Sequence, residues 1–84
     1  MDVIAFKQFI NDQIQLFAEK LGDEKHAAND GVSLGKLTFY LALRQSIDKR
    51  ASEQDAGVVG AFNDTLQELG LVDKGTTFMS RLDK

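Results

Sequence analysis

The sequence predicts an all-α fold: a small bundle of three main helices with a short C-terminal helix. Three observations carry this. The chain contains no proline, so no proline breaks a helix from within. Apolar residues recur three and four apart over three long segments. Each segment is bounded by a capping residue or a glycine. Residues 1–84 make one helical domain with one modest core. The composition, 43% hydrophobic and 27% charged, is that of a folding chain.

The first helix is expected from about Asp2 to Leu21, with Gly22 as its C′ residue. On a wheel of 100° per residue, Val3, Phe6, Ile10, Ile14, Phe17 and Leu21 line one stripe. Gln8, Asp12, Gln15 and Glu19 define the opposite face. Phe9 and Leu16 lie together on the flank, with Ala5 beside them. This arc is wider than one neighbouring helix needs. The flank suits either a second helix of the same chain or a partner, which makes Phe9 and Leu16 candidate partner-binding residues.

The segment Gly22–Gly31 reads "GDEKHAANDG". Its Asn-Asp-Gly invites comparison with an EF-hand loop. Aligning Gly31 with the loop glycine places His26, Ala28 and Leu37 where oxygen ligands are required, so calcium is excluded there. Residues 23–28 read as a short helical turn or ordered loop, with His26 exposed to solvent, and residues 29–31 as a turn or cap.

Ser33 is expected to cap a second helix from Leu34 to about Arg50. Leu34, Leu37, Tyr40, Leu41, Leu43 and Ile47 form its apolar face, with Phe39 at the edge. Arg44 falls near the middle of that arc. It must either pair locally, with Asp48 four residues on, or snorkel to water. Arginine is also enriched at interface hot spots, so Arg44 is a third candidate partner-binding residue.

The third helix begins at Ser52-Glu53-Gln54-Asp55, an approximate capping box. Val59, Phe62, Leu66 and Leu69 then share one face, and Gly70 stops the helix. Gly57 and Gly60 point the other way, beside Glu53, Asp64 and Gln67. An interior glycine costs about 1 kcal/mol relative to alanine. The pair is therefore a tolerated surface feature, a smooth patch for a partner, or a sign that the segment is not one helix. With Ser52 as the first position, Ala56, Gly60, Leu66 and Leu69 resemble the spacing of a helix-turn-helix unit. Asp55 stands where that family has an apolar residue. The helix after the supposed turn carries Asp64 and Glu68 with no arginine or lysine to meet phosphates or guanine.

In the tail, Asp73-Lys74-Gly75 could close a small hairpin. The alternative is a short helix capped by Thr76 or Thr77, with Phe78 and Leu82 on one face. The helix is preferred, because strands of two or three residues form only a marginal hairpin.

Charge and composition bound the chemistry. The net charge is −3 and the pI about 4.9, which argues against a protein living on nucleic-acid phosphates. Residues 1–30 sum to −3, residues 31–52 to +3 and residues 53–84 to −3. With no cysteine there is no disulfide, thiolate metal site or thiol nucleophile. A single histidine provides no metal cluster, and no serine stands in a nucleophile turn. No phosphate-binding loop or dinucleotide fingerprint is present. The chain is therefore expected to be non-enzymatic and to need no metal or cofactor.

The N-terminal residues lack the basic start and apolar run of an export signal, and no apolar run is long enough for a membrane span. The expected setting is the cytoplasm, where the Asn63-Asp64-Thr65 sequon is accidental. The function expected from these exclusions is protein–protein interaction, as an adaptor, inhibitor or regulator. Its partner is another protein or a second copy of the chain, with Phe9, Leu16, Arg44, Gly57 and Gly60 at the contact. The alternative is a DNA-binding regulator using residues 52–69.

Overall fold

A computed structural model of the chain describes residues 1–23 and 30–82. Among the described residues, three α-helices follow in order: α1 (Val3–Gly22), α2 (Gly31–Ile47) and α3 (Glu53–Glu68). A single 3-10 turn, Phe78–Arg81, closes the chain, and no strand occurs among the described residues. The all-α reading therefore holds, as a small three-helix bundle. The expectations for residues 24–28, including His26, lie outside the described residues, as does Asn29.

Each helix begins where a short polar side chain can take an orphan N–H. Asp2 caps α1 by accepting from the Ala5 amide at 2.7 Å. Asp30 caps α2 by accepting from the Ser33 amide at 2.9 Å. The expected cap, Ser33, instead sits one turn inside, buried, with its hydroxyl donating to the other Asp30 oxygen. An aspartate placed three residues before Ser33 satisfies both the amide and the hydroxyl, so the helix starts earlier than the serine alone suggests. Ser52 and Asp55 complete a reciprocal capping box on α3, at 3.0 and 3.1 Å.

Helix ends follow less uniformly. Gly70 takes φ 76°, and Leu71 N–H donates to Leu66 O while Gly70 N–H donates to Gln67 O. These are the two bonds of a Schellman motif, as the glycine stop implied. Gly22 does not play that role. It remains helical, and Asp23 leaves the helix in an extended conformation. The α2 end also differs from expectation, stopping at Ile47 rather than near Arg50. Lys49 adopts φ 60°, with Arg50 N–H donating to Gln45 O at 2.8 Å and Lys49 N–H to Ser46 O at 3.2 Å. A Schellman turn is thus built around a lysine, whose Cβ makes the left-handed region unfavourable.

Helix α2 is the centre of the bundle and packs against both α1 and α3, which make no comparable contact with each other. The buried cluster takes Ile10 from α1, Ala42 and Leu43 from α2, and Val59 from α3. Phe6, Ile14, Phe39, Tyr40, Ile47, Val58 and Phe78 pack around it. The 3-10 turn closes the gap that α1 and α3 leave. Phe78 meets Phe6 of α1 at 5.9 Å and Phe62 of α3 at 5.5 Å between ring centroids, both edge-on.

The turn is held in place by polar bonds. The Phe78 amide donates to Asn63 Oδ1 at 2.9 Å, Gln67 Nε2 donates to Thr76 O, and Arg81 Nη2 donates to Leu71 O at 3.2 Å. Gly75, at φ 84°, turns the chain into it, but the hairpin alternative is not what forms. Thr77 stands at the N-terminal position without a side-chain cap bond, and Leu82 lies just past the turn.

Two outcomes follow for stability. Phe78→Ala should cost about 2 kcal/mol, the loss of a half-buried ring and its two edge contacts. Lys49→Gly should add about 1 kcal/mol by relieving the left-handed lysine. Urea midpoints measured with an unchanged denaturant slope would check both; an unmoved midpoint for Phe78→Ala would dissociate the turn from the core.

Candidate interaction surface

The wide arc of α1 is only partly absorbed by the bundle. Ile10 and Phe17 are buried, one heptad apart, on the face toward α2. Phe9 and Leu16, also one heptad apart, are each 42% exposed. Phe9 rests edge-on against Tyr40 at 5.9 Å, so its ring is braced from below and open above. Tyr40 in turn stacks on Phe17 at 6.4 Å and meets Phe39 at 5.8 Å. The flank is therefore a continuation of the core to the surface.

Arg44 lines a shallow depression between α1 and α2 with Lys7, Ile10, Asn11, Ile47 and Asp48. The expected Arg44–Asp48 pair does not form. Asp48 instead reaches across to Lys7 of α1 at 3.6 Å. Asp48 is the C-cap residue, beyond the last helical turn, where its carboxylate can face the neighbouring helix. Both partners are nearly half exposed, so the pair adds little stability. Arg44 is half-buried and has no carboxylate partner among the described residues.

The glycines of α3 occupy the face away from the core. The helix runs unbroken from Glu53 to Glu68, with no turn at Gly60. Gly57 is exposed and Gly60 half-buried, and a Cβ added at either position would meet nothing within 4 Å. Neither glycine is required by packing within the chain. The candidates thus fall on separate elements: Phe9 and Leu16 together on α1, Arg44 on the α1–α2 groove, and the glycines on α3.

Sequence reasoning did not single out the cations that gather on Phe17. Lys20 and Lys36 hold their ammonium groups 5.4 and 5.2 Å from its ring centroid, one from α1 and one from α2. Lys20 lies three residues after Phe17, so half of this arrangement could have been read from the helical spacing. Among the described residues, no group of three or more histidine, cysteine, aspartate or glutamate side chains is arranged to hold a metal ion. No described helix is long and apolar enough to cross a membrane.

Because their Cβ positions are open, Gly57→Ala and Gly60→Ala should each raise stability by about 0.5–1 kcal/mol, read as a higher thermal midpoint. A loss of stability would mean the bare backbone is engaged within the fold after all. Compared with protein-family models, curated proteins and solved structures, the chain matches none.

Proposed function

We propose that the chain is a small, non-enzymatic protein–protein interaction module acting in the cytoplasm as an adaptor, inhibitor or regulator. The observation that carries this reading is the flank of α1. Scattered exposed apolar residues are ordinary on any protein. Phe9 and Leu16 are different, because they share one helical face and Phe9 rests on Tyr40, which itself stacks on the buried Phe17. An aromatic anchor braced by the core and rimmed by polar residues has the make-up of an interface centre. Here the rim is Asp12, Gln13 and Lys20 of α1.

The unbroken course of α3 supports this reading over a DNA-binding one, since a helix-turn-helix unit needs a turn near Gly60. Its exposed Asp64 and Glu68 would also repel phosphates. Retention on DNA that weakens with salt would reverse that preference.

The test is capture of binding partners by the immobilised chain from an extract of its native host. Phe9→Asp combined with Leu16→Asp should abolish capture while helical circular dichroism stays unchanged. Undiminished capture by the double variant would remove the α1 flank from the function.

A further inference from the structure

We propose that the cleft between α1 and α3 is a binding site for an extended, phenylalanine-bearing segment of a partner protein, and that the chain's own tail occupies it in cis. The site is separate from the α1 flank, so the two readings stand or fall independently.

The tail displays what the cleft selects. Asn63 and Gln67 lie four residues apart on α3, and so on one face of it. Both apply their side-chain amides to the tail's main chain. Asn63 Oδ1 accepts from the Phe78 N–H at 2.9 Å, and Gln67 Nε2 donates to Thr76 O. Thr77, between them, is extended at φ −126° and ψ 167°. Any segment without proline offers a carbonyl and, two residues on, an N–H. These two bonds therefore read no sequence. They read a main chain whose groups are not already committed to a helix or sheet. The side chain that is read is Phe78. Its ring stands between Phe6 of α1 at 5.9 Å and Phe62 of α3 at 5.5 Å, edge-on to both. Amide bonds to a peptide backbone around one aromatic anchor are the chemistry of segment recognition.

The walls of the cleft do not depend on the tail. Phe62 is backed by Phe39 of α2 at 5.2 Å, and Phe6 packs on the core cluster. Helices α1 and α3 are each held by α2 rather than by one another. The tail itself is lightly held. None of residues 73–82 is buried, and the 3-10 turn has no side-chain cap. Two further polar bonds, from Thr76 Oγ to Asp73 O and from Ser80 Oγ to Thr77 O, are internal to the tail. Arg81 reaches only Leu71, in the connection that leads into it.

What keeps the tail seated is its tether. Gln67 and Thr76 are nine residues apart, and a connection this short gives an effective concentration on the order of millimolar. The tail is thus a competitor built into the chain. A partner segment must displace it, and the apparent affinity scales with the fraction of chains whose cleft is open.

A fluorescein-labelled peptide of residues 73–82, titrated with the full chain and followed by anisotropy, tests the proposal. Phe78→Ala in the chain unseats the tail and should raise affinity for the peptide about tenfold or more over the wild type. The peptide that itself carries Phe78→Ala should not bind. A peptide with Thr76→Ala, Thr77→Ala and Ser80→Ala should bind within about threefold, because the cleft meets main chain there. Asn63→Leu added to the Phe78→Ala chain should weaken binding about tenfold, by removing the acceptor for the N–H. If Phe78→Ala lowers the helical circular dichroism of the chain, the peptide should restore it. No saturable binding to the Phe78→Ala chain up to millimolar peptide, with no recovery of helicity, overturns the site. Equal affinity of the wild-type and Phe78→Ala chains overturns occupancy by the tail. Loss of binding by the triple-alanine peptide overturns the fit of a foreign segment.

Discussion

Every aromatic ring of this chain belongs to one connected set. From Phe6 the contacts run to Phe78, Phe62, Phe39 and Tyr40, where they divide to Phe9 and Phe17. Six buried apolar residues would be a thin core for three helices. The rings supply what those residues lack, because they link one element to the next, edge-on in every contact except the stacked Phe17–Tyr40 pair. Their distribution is also what makes α2 central. Phe39 and Tyr40 are neighbours in sequence, so they point about 100° apart on the helix and reach α3 and α1 respectively.

The periodicity of the sequence reveals this arrangement only in part. Spacings of three and four identify the three helices, and the six-residue stripe of α1 contains the residues that become buried. Periodicity reports which face is apolar, not how much of that face a neighbour will cover. For that reason the sequence leaves the flank of α1 open, and it is the position of α2 that sets Tyr40 against Phe9. The role of Phe78 was beyond reach for a similar reason. Its partners lie on α1 and α3, and no local pattern links the tail to either.

Helix boundaries divide along the same line. Ser52 with Asp55, and Gly70 with Leu71, are local motifs whose hydrogen bonds involve only nearby residues, and they form as the sequence implies. Asp30 and Ser33 were both plausible caps, and the choice depended on which side chain could satisfy two donors at once. Lys49 in a left-handed turn could not be foreseen from propensity, since glycine is the usual occupant. There the four-residue connection to Ser52 sets the conformation. Arg44 shows the opposite failure: a sequence-local partner was available four residues away, and the tertiary neighbour Lys7 took it. The candidate residues were legible but not their placement, because periodicity within each helix does not say that Phe9 with Leu16, Arg44 and the two glycines end up on separate parts of the bundle.

The Phe6–Phe78 ring contact joins nearly the two ends of the chain. The α1–α2 and α2–α3 hairpins need only local loop closure, and the tail closes on α3 through Asn63 and Phe62 by a loop of similar length, so the long-range Phe6–Phe78 contact can form only once both hairpins have brought α1 and α3 together. The order in reverse is simplest from the same physics. The 3-10 turn is the first piece to fray, and its excursions expose Phe6 and Phe62 while the paired hairpins stay intact. Amide exchange at Phe78, whose N–H is held by Asn63, would report that opening separately from global unfolding.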